Sequence, residues 1–355
     1  MGRRSTRLRK AALSALHFSG ADGMIAPFTR GIGAIFKLHQ VRPEKPAAFE
    51  PNRVLRITPT FLEQVIDQVR AAGFDIVSLD EAQFRLVEGE FQRPFCCFTF
   101  DGGYRDNLEH AYPIFRRRNL PFAIYVPTDY PDGQGELWWL ALEAVIGASG
   151  EITVRMGGTA RTLRCATPAE KDATYHTLYA WLRSIDEADA RAIVRELAES
   201  VHFDMKAQCR ALILGWDQLR QLGADPLVTI GAHTRRHFAL ARLPLAEARA
   251  EIESSLRRIE RELGRPCRHF SFPFGDAAGV GEREFAMVRE SGFKTAVTAR
   301  RGLIHARHRD ALACLPRVAL DGDYQQARYI KVLLSGVPFA VGNMMRRVAP
   351  QAAAF

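Results

Sequence analysis

Most of the chain alternates between short apolar runs and longer segments that carry one apolar stripe. The short runs lack polar alternation, which is typical of strands covered on both faces of a parallel sheet. This pattern predicts strands at residues 32–41, 74–79, 95–100, 121–127, 227–232, 269–272, 294–298 and 312–320. We therefore expect an α/β fold in which helices cover a parallel sheet.

Start and stop signals predict helices between these strands. Thr58 can cap a helix that has Pro59 at its first position and ends at Gly73. A long amphipathic helix at 245–263 ends at Gly264. Further helices are predicted at 80–89, after Tyr104, at 216–222 and at 283–291.

The strand–helix order is interrupted at about residues 129–209. The elements predicted there are an aromatic helix at 138–146, a hairpin at 152–164 that turns at Gly157-Gly158, and a mostly helical stretch at 168–201. Because the strand–helix order resumes afterwards, this stretch is interpreted as an insertion and not as an independent domain. The predicted parts of the chain are a basic N-terminal arm at 1–31, one α/β domain at 32–320, and a helical tail at 321–355.

The composition is that of an ordinary globular protein. Hydrophobic residues make up 47% and charged residues 25% of the 355 positions, which excludes a largely disordered chain. None of the six cysteines has C-x-x-C spacing, and the adjacent pair Cys96-Cys97 lies in an apolar strand. Buried thiols without a disulfide framework indicate a reducing compartment, so we expect a cytoplasmic location.

The net charge of +9 is unevenly distributed, because residues 1–10 carry five basic side chains and no acid. We expect this arm to be mobile and solvated. It is also a candidate for contact with an anionic membrane, as is the tail at 324–348, an apolar helix with Arg346 and Arg347. No nucleic-acid partner, secretory signal or membrane span is expected.

Three predicted strands end in residues that suit chemistry. Asp101 with two glycines follows the strand at 95–100, His233 and His237 follow the strand at 227–232, and 273–275 (Pro-Phe-Gly) follow the strand at 269–272. Carboxyl ends of parallel strands meet at one end of the fold, so these residues are expected to share a pocket. The structural alternatives are that Asp101 caps the next helix and that the histidine spacing is a coincidence.

In this order and spacing the chain resembles the polysaccharide deacetylases, which share the NodB homology domain. The resemblance covers about residues 32–320. It depends on four stretches: 99–104 (Thr-Phe-Asp-Gly-Gly-Tyr) resembles T-F-D-D-G-Y, 233–237 (His-Thr-Arg-Arg-His) matches H-T-x-x-H, 272–275 (Phe-Pro-Phe-Gly) resembles P-Y-G, and 315–317 (Leu-Pro-Arg) lies where many members have L-P-R. The resemblance implies an irregular (β/α) barrel that removes N-acetyl groups from amino sugars with a divalent metal, usually zinc.

Roles for individual residues follow from the resemblance. Asp101 would be the general base, and His233 and His237 would be metal ligands. A zinc ion with an open position lowers the pKa of bound water to about 7 and polarises the amide carbonyl. The residues that the resemblance assigns to the substrate groove are Tyr104, Pro273, Phe274 and Gly275.

The chain departs from the family pattern at several positions. Gly102 stands where the family has an aspartate that is the third metal ligand, so two histidines alone should bind metal weakly. Ser271 stands where an arginine often orients the base, and Arg317 could supply that charge from the next strand. The late leaving-group histidine has no clear match, so His39 is the candidate acid, its alternative being a structural histidine at a strand end.

Three functional hypotheses stay open from the sequence. The first is hydrolysis of the N-acetyl amide in an oligosaccharide, polysaccharide or lipid-linked glycan by metal-activated water. The others are a catalytically silent glycan-binding protein and a metal-independent amide hydrolase on the same scaffold. The insertion is expected to form a lid or wall of the groove through Trp138, Trp139 and Trp181, although these side chains could instead pack the insertion onto the barrel.

Overall fold

The computed structural model describes residues 3–89 and 92–348, except for the side chains of 3–5 and 345–348. The apolar runs of the sequence form most of its strands. The strands are β1 Gly33–Leu38, β2 Gln40–Val41, β3 Arg56–Ile57, β4 Asp75–Ile76, β5 Phe95–Asp101, β6 Phe122–Val126, β7 Glu151–Met156, β8 Thr159–Arg164, β9 Val228–Ala232, β10 His269–Ser271, β11 Thr295–Arg301 and β12 Leu315–Ala319.

Seven of these strands form a closed parallel barrel. Their order is β1-β12-β11-β10-β9-β6-β5, and β1 pairs again with β5, which closes the ring. The short strand β4 pairs with the first two residues of β5, Phe95 and Cys96. The prediction of an irregular (β/α) barrel is therefore confirmed, and the absence of polar alternation in β5 is explained because every residue of that strand is buried.

Helices surround the barrel and form most of the insertion. They are α1 Arg3–Phe18, α2 Ala21–Thr29, α3 Pro59–Ala71, α4 Leu79–Glu88, α5 Tyr112–Arg117, α6 Trp138–Ala148, α7 Pro168–Leu182, α8 Glu187–Ser200, α9 Met205–Leu212, α10 Trp216–Ala224, α11 Leu245–Leu263, α12 Glu282–Glu290, α13 Ala327–Leu334 and α14 Val337–Val348. As predicted, the Thr58 side chain caps α3, accepting a hydrogen bond from the Phe61 amide at 3.2 Å. None of the helices in the described part of the chain is both long and apolar enough to cross a membrane.

Several element boundaries differ from the predicted ones. The strand predicted at 32–41 is divided, because β2 leaves the barrel and pairs with β3. The strand predicted at 74–79 is only two residues long, because the side chain of Ser78 caps α4 by accepting a hydrogen bond from the Glu81 amide at 3.1 Å. The last strand begins at Leu315, after a 3-10 turn at Leu312–Cys314.

The insertion contains the predicted hairpin and helices. Strands β7 and β8 pair antiparallel around Gly157 and Gly158, which have φ of +59° and +83°. The insertion buries an apolar cluster of its own, which includes Val145, Leu178 and Val194. It thus has a small core beside the barrel.

The N-terminal arm, which we expected to be mobile and solvated, forms two helices, and the first of them packs on α13. Residues from Arg3 onward form α1, which turns into α2 near Gly20. Ser14 Oγ lies 3.5 Å from the Tyr329 hydroxyl, so α1 contacts α13. Helix α13 in turn buries Ile330 and Leu334 in the barrel's main core, so this part of the tail packs on the barrel. The predicted arm at residues 1–2 and the tail beyond 348 lie outside the described residues.

Candidate active site

A cavity of about 420 Å³ opens at the carboxyl ends of the barrel strands. Asp101 is the last residue of β5, and His233 follows β9 directly. Phe274 follows β10, and His39 follows β1. All four residues line this cavity, so the sequence-predicted strand ends share one pocket.

Asp101 forms a two-point ion pair with Arg317 on β12. Nη1 and Nη2 of Arg317 donate to Oδ1 and Oδ2 of Asp101 at 2.8 and 2.7 Å. Ser271 Oγ donates to Oδ1 at 3.1 Å and accepts from Arg317 Nη2 at 3.1 Å. Arg317 thus supplies from β12 the charge that Ser271 cannot supply. Because both Asp101 oxygens are used in this way, Asp101 does not cap the following helix.

The guanidinium of Arg317 is held on every side. Its Nε donates to the Thr298 carbonyl at 2.8 Å, and Nη1 also donates to Thr99 Oγ1 at 3.1 Å. Arg317 is only 2% exposed and lies behind Asp101, outside the cavity wall. Its position makes it a residue that orients the base Asp101, which is the role that the sequence analysis expected.

Asp101 remains ionised although it is buried. Burial alone would raise its pKa, but the charge of Arg317, helped by His233, holds the pKa of this carboxyl below its ordinary value. Oδ2 accepts one hydrogen bond from the protein, so a lone pair remains for water or substrate. The carboxylate can accept a proton, and Arg317 fixes its orientation.

His233 and His237 lie in a loop that follows β9. Thr234 and His237 both have φ of +62°, which makes the loop compact. The two imidazole rings are 4.8 Å apart between centroids, at an angle of 77°. Nδ1 of His233 lies 2.6 Å from the Ser271 carbonyl oxygen, so Nδ1 donates and Nε2 keeps a lone pair.

His237 lies among aromatic side chains. Its ring centroid is 5.0 Å from that of Trp139, 5.1 Å from Phe274 and 6.2 Å from Tyr130. Burial, followed by the charges of His233 and Arg191, lowers the pKa of His237, so its imidazole is neutral. Nδ1 of His237 is buried without a hydrogen-bond partner in the protein. A neutral imidazole with an unsatisfied nitrogen is a ready ligand or hydrogen-bonding group.

Two charged residues that the sequence did not single out hold the histidine loop. Arg191 on α8 donates to the backbone carbonyls of Arg236 and His237 at 3.3 and 3.1 Å. Glu251 on α11 accepts from the amides of Arg235 and Arg236 at 3.0 and 2.8 Å. In the sequence, Arg191 and Glu251 are recognisable as charged residues within amphipathic helices. The backbone groups that they bind could not be predicted from the sequence.

His233 and His237 provide two ligands, one fewer than the three protein ligands of a typical catalytic zinc site. Gly102 has φ of +105°, and a Cβ there would lie 2.7 Å from Cε2 of Tyr104. Asp101 is already held by Arg317. In the described ranges, no group of three His, Cys, Asp or Glu residues is arranged to hold a metal ion. His233 and His237 would be the protein ligands of a divalent cation.

Lys37 also lines the pocket, although the sequence analysis passed over it. A lysine inside the otherwise apolar strand β1 is the sequence feature that could have indicated it. Burial, and then the charge of Arg317, lowers the pKa of Lys37 to about 8. At neutral pH it is therefore an ammonium that can lose its proton readily.

His39 lies beside Asp101, because β1 and β5 pair Leu38 with Phe100 just before them. Burial, and then the charge of Lys37, lowers the pKa of His39 to about 3. The imidazole is consequently neutral at neutral pH. It can relay a proton, but it does not carry one into the reaction as an imidazolium.

Only part of the expected substrate groove lines the cavity. Tyr104 and Phe274 do so, and the guanidinium of Arg183 stacks on Phe274 at 3.6 Å from its ring centroid. Pro273 and Gly275 instead form the turn that presents Phe274, with φ of +64° at Gly275. A Cβ at Gly275 would lie 2.5 Å from the Ala299 amide nitrogen. These two residues shape the site without lining it.

The insertion supplies one wall of the cavity. Trp139 lines the cavity, together with Tyr130 and Tyr175. Trp138 stacks on Tyr179 with 5.1 Å between ring centroids, and Trp181 packs in the same insertion core. Of the three tryptophans predicted to line the groove, Trp139 lines the cavity, whereas the other two pack the insertion.

A family model for polysaccharide deacetylases matches residues 88–295, which is more than half of the chain. The protein belongs to this family of carbohydrate N-deacetylases, hydrolases that act on N-acetylated glycans and generally use a divalent metal. A search of the curated proteins found no match for the chain.

Solved structures of deacetylases share the fold at low sequence identity. IcaB from Ammonifex degensii is 17% identical with a TM-score of 0.52, over 86% of this chain and 97% of that chain. The Streptococcus pyogenes deacetylase PplD, solved in complex with acetate, is 14% identical with a TM-score of 0.52, over 81% of this chain and 92% of that chain. BC0361, a polysaccharide deacetylase from Bacillus cereus, is 11% identical with a TM-score of 0.53, over 85% of this chain and 68% of that chain.

Proposed function

We propose that this protein hydrolyses the N-acetyl amide of amino sugars in an oligosaccharide, polysaccharide or lipid-linked glycan, with Asp101 as the general base. The observation that carries the proposal is the Asp101 carboxylate, held ionised by Arg317 in a pocket that also contains His233 and His237. The fixed, ionised carboxylate can take a proton from water, and because its pKa is lowered the water would need activation, which a bound divalent cation would supply.

Amide hydrolysis needs a group that donates a proton to the leaving amine as well as a base that takes one from water. Water adds to the acetyl carbonyl as Asp101 takes its proton, the C–N bond then breaks, and the leaving amine must be protonated. Lys37 is the pocket's ammonium with a pKa of about 8, which is near the optimum for a general acid at neutral pH. His39, neutral and next to Asp101, can pass the proton between them.

A divalent cation, zinc above all, would be held by His233 and His237. Two imidazoles without a third protein ligand should bind such a cation more weakly than a complete site does. We therefore propose that metal content and activity be measured together.

The experiment is acetate release from N-acetylglucosamine oligomers by the full-length protein. It is measured before chelation, after dialysis against a chelator, and after zinc, cobalt or nickel is added back. Loss with chelation and recovery with metal indicate metal-assisted hydrolysis, whereas unchanged release indicates the metal-independent hydrolase. No release from any N-acetylated glycan under any of these conditions would overturn the proposal.

A catalytically silent glycan-binding protein is the second candidate. It is favoured by the left-handed φ of +105° at Gly102, which suits glycine and disfavours the missing aspartate ligand. Glycan binding by calorimetry without acetate release would identify this case.

We propose a cytoplasmic or membrane-peripheral location. This is consistent with the six free cysteines, five of which are buried. Fractionation of the native host into soluble, peripheral and integral proteins tests it.

A further inference from the structure

Large apolar side chains are exposed mainly at the two ends of the chain. Among the described residues, seven of the eleven exposed large hydrophobic side chains lie on α1, α2 and α14. Phe28 is 88% exposed and Met24 72% exposed, both on α2. The seven residues are Leu8, Phe18, Met24, Ile25, Phe28, Val341 and Met344. Scattered single residues need no explanation, but a concentration on neighbouring helices marks an interaction surface.

These helices form one layer with α13, which we call the terminal helical layer. Helix α1 runs into α2 through Gly20. Thr29 Oγ1, at the end of α2, donates to the Ser335 carbonyl at 2.6 Å, just before α14 begins. Ser14 on α1 contacts Tyr329 on α13. The exposed apolar residues thus belong to helices that pack against one another.

The charge of this layer is almost entirely positive. Residues 3–30 contain a single acid, Asp22, which is buried 3.9 Å from Nδ1 of His17. Residues 327–348 contain no acid at all. The basic residues of the two stretches are Arg3, Arg4, Arg7, Arg9, Lys10, Arg30, Arg328, Lys331, Arg346 and Arg347. Exposed aromatic and aliphatic side chains on basic helices match the surface of an anionic bilayer.

The layer also borders the proposed active site. Arg9 on α1 lines the cavity, as does Tyr324 immediately before α13. Lys10 Nζ lies 5.8 Å from the centroid of the Tyr324 ring. The N-terminal half of α1 therefore borders the cavity, whereas Phe28 on α2 lies shortly before Gly33, the amino end of β1. The layer thus extends from the cavity rim along the side of the barrel, and a bilayer against α1 would lie beside the cavity.

We infer that the terminal helical layer binds an anionic membrane surface and that the protein acts on an N-acetylated glycan whose lipid anchor lies in that membrane. The second part of this inference, the lipid-anchored substrate, rests on the proposed deacetylase function. Membrane binding itself depends on α1, α2 and α14, none of which carries the residues assigned to the chemistry.

The first test is co-sedimentation of the full-length protein with vesicles. Phosphatidylcholine vesicles are compared with vesicles that also contain phosphatidylglycerol. We expect binding to the anionic vesicles alone, weakening as salt rises. Met24→Ser/Phe28→Ser should reduce binding about tenfold or more, because two large apolar contacts are lost. The matched control is Phe84→Ser/Leu245→Ser, which changes two exposed apolar residues on α4 and α11 and should bind like the parent.

Two results would overturn membrane binding. One is failure of the parent protein to sediment with anionic vesicles. The other is a dimer that the Met24→Ser/Phe28→Ser variant converts to a monomer while vesicle binding is unchanged, which would show that the layer binds a second copy.

The substrate half is tested by acetate release from a lipid-anchored N-acetylglucosamine oligomer in anionic vesicles and from the same oligomer in solution. Met24→Ser/Phe28→Ser should slow release from the anchored substrate and leave the soluble reaction unchanged. Equal rates for variant and parent on the anchored substrate would refute this half. If neither substrate releases acetate with the parent, the proposed function fails, while the vesicle result still stands by itself.

Discussion

The ring of Tyr104 fills the space in which a side chain at position 102 would begin. A Cβ at Gly102 would lie 2.7 Å from Cε2 of Tyr104, and φ at this position is +105°. The backbone after Asp101 is therefore adapted to glycine at the position where the family has a metal-binding aspartate.

Gly102→Asp should destabilise the protein by roughly 1 kcal/mol or more, because a residue with a Cβ is strained at this φ. Chemical denaturation measures the free energy of unfolding, and Gly102→Ala is the matched control for the Cβ alone. A stable aspartate variant that binds zinc more tightly than the parent would show that the backbone readily adopts the family's conformation.

Asp101→Asn should reduce acetate release by about 10²–10⁴-fold, as expected when a general base is lost. This variant also leaves the Arg317 charge buried and unpaired. Breaking a buried pair costs about 3–5 kcal/mol. Asp101→Asn/Arg317→Met should therefore be more stable than Asp101→Asn in denaturant titrations, and a less stable double variant would contradict this coupling.

Lys37→Met should stabilise the protein at neutral pH and slow acetate release. The pKa of Lys37 is about 8 in the folded protein and about 10.4 in an unfolded chain, so the unfolded state binds more protons between these values. The parent should therefore gain stability as pH rises from about 8 to about 10.4, and Lys37→Met should not. Thermal unfolding across this range is the measurement, and parallel pH profiles for both proteins would refute the assignment.

His233→Ala and His237→Ala should each lower zinc, cobalt or nickel affinity by well over tenfold. Both imidazoles are buried, so some loss of metal-free stability is expected as well. His176→Ala, a half-exposed histidine on the cavity rim, is the control for metal titration by calorimetry. Unchanged affinity in both active-site variants would leave these histidines a structural role.

Tryptophan fluorescence should respond to N-acetylated oligosaccharides through Trp139, which lines the cavity. Trp139→Phe should remove most of the response, whereas Trp138→Phe should keep it because Trp138 stacks inside the insertion. A response that survives in Trp139→Phe would place the glycan elsewhere.

The sequence by itself determined the order of strands and helices and the strand ends that carry Asp101, His233 and Phe274. These features are local: continuous apolar runs form buried strands, and short motifs follow them. The position of the insertion was also visible, because it interrupts a regular period.

Only the tertiary structure decided how the site works. Asp101 and Arg317 are separated by 216 residues, and they meet because β1 pairs with both β5 and β12 as the barrel closes. The same closure brings Lys37 into the pocket, and a left-handed backbone conformation places Tyr104 against Gly102. Contacts between distant residues depend on which strands become neighbours and on backbone angles, whereas hydrophobic periodicity records only which face of each element is buried.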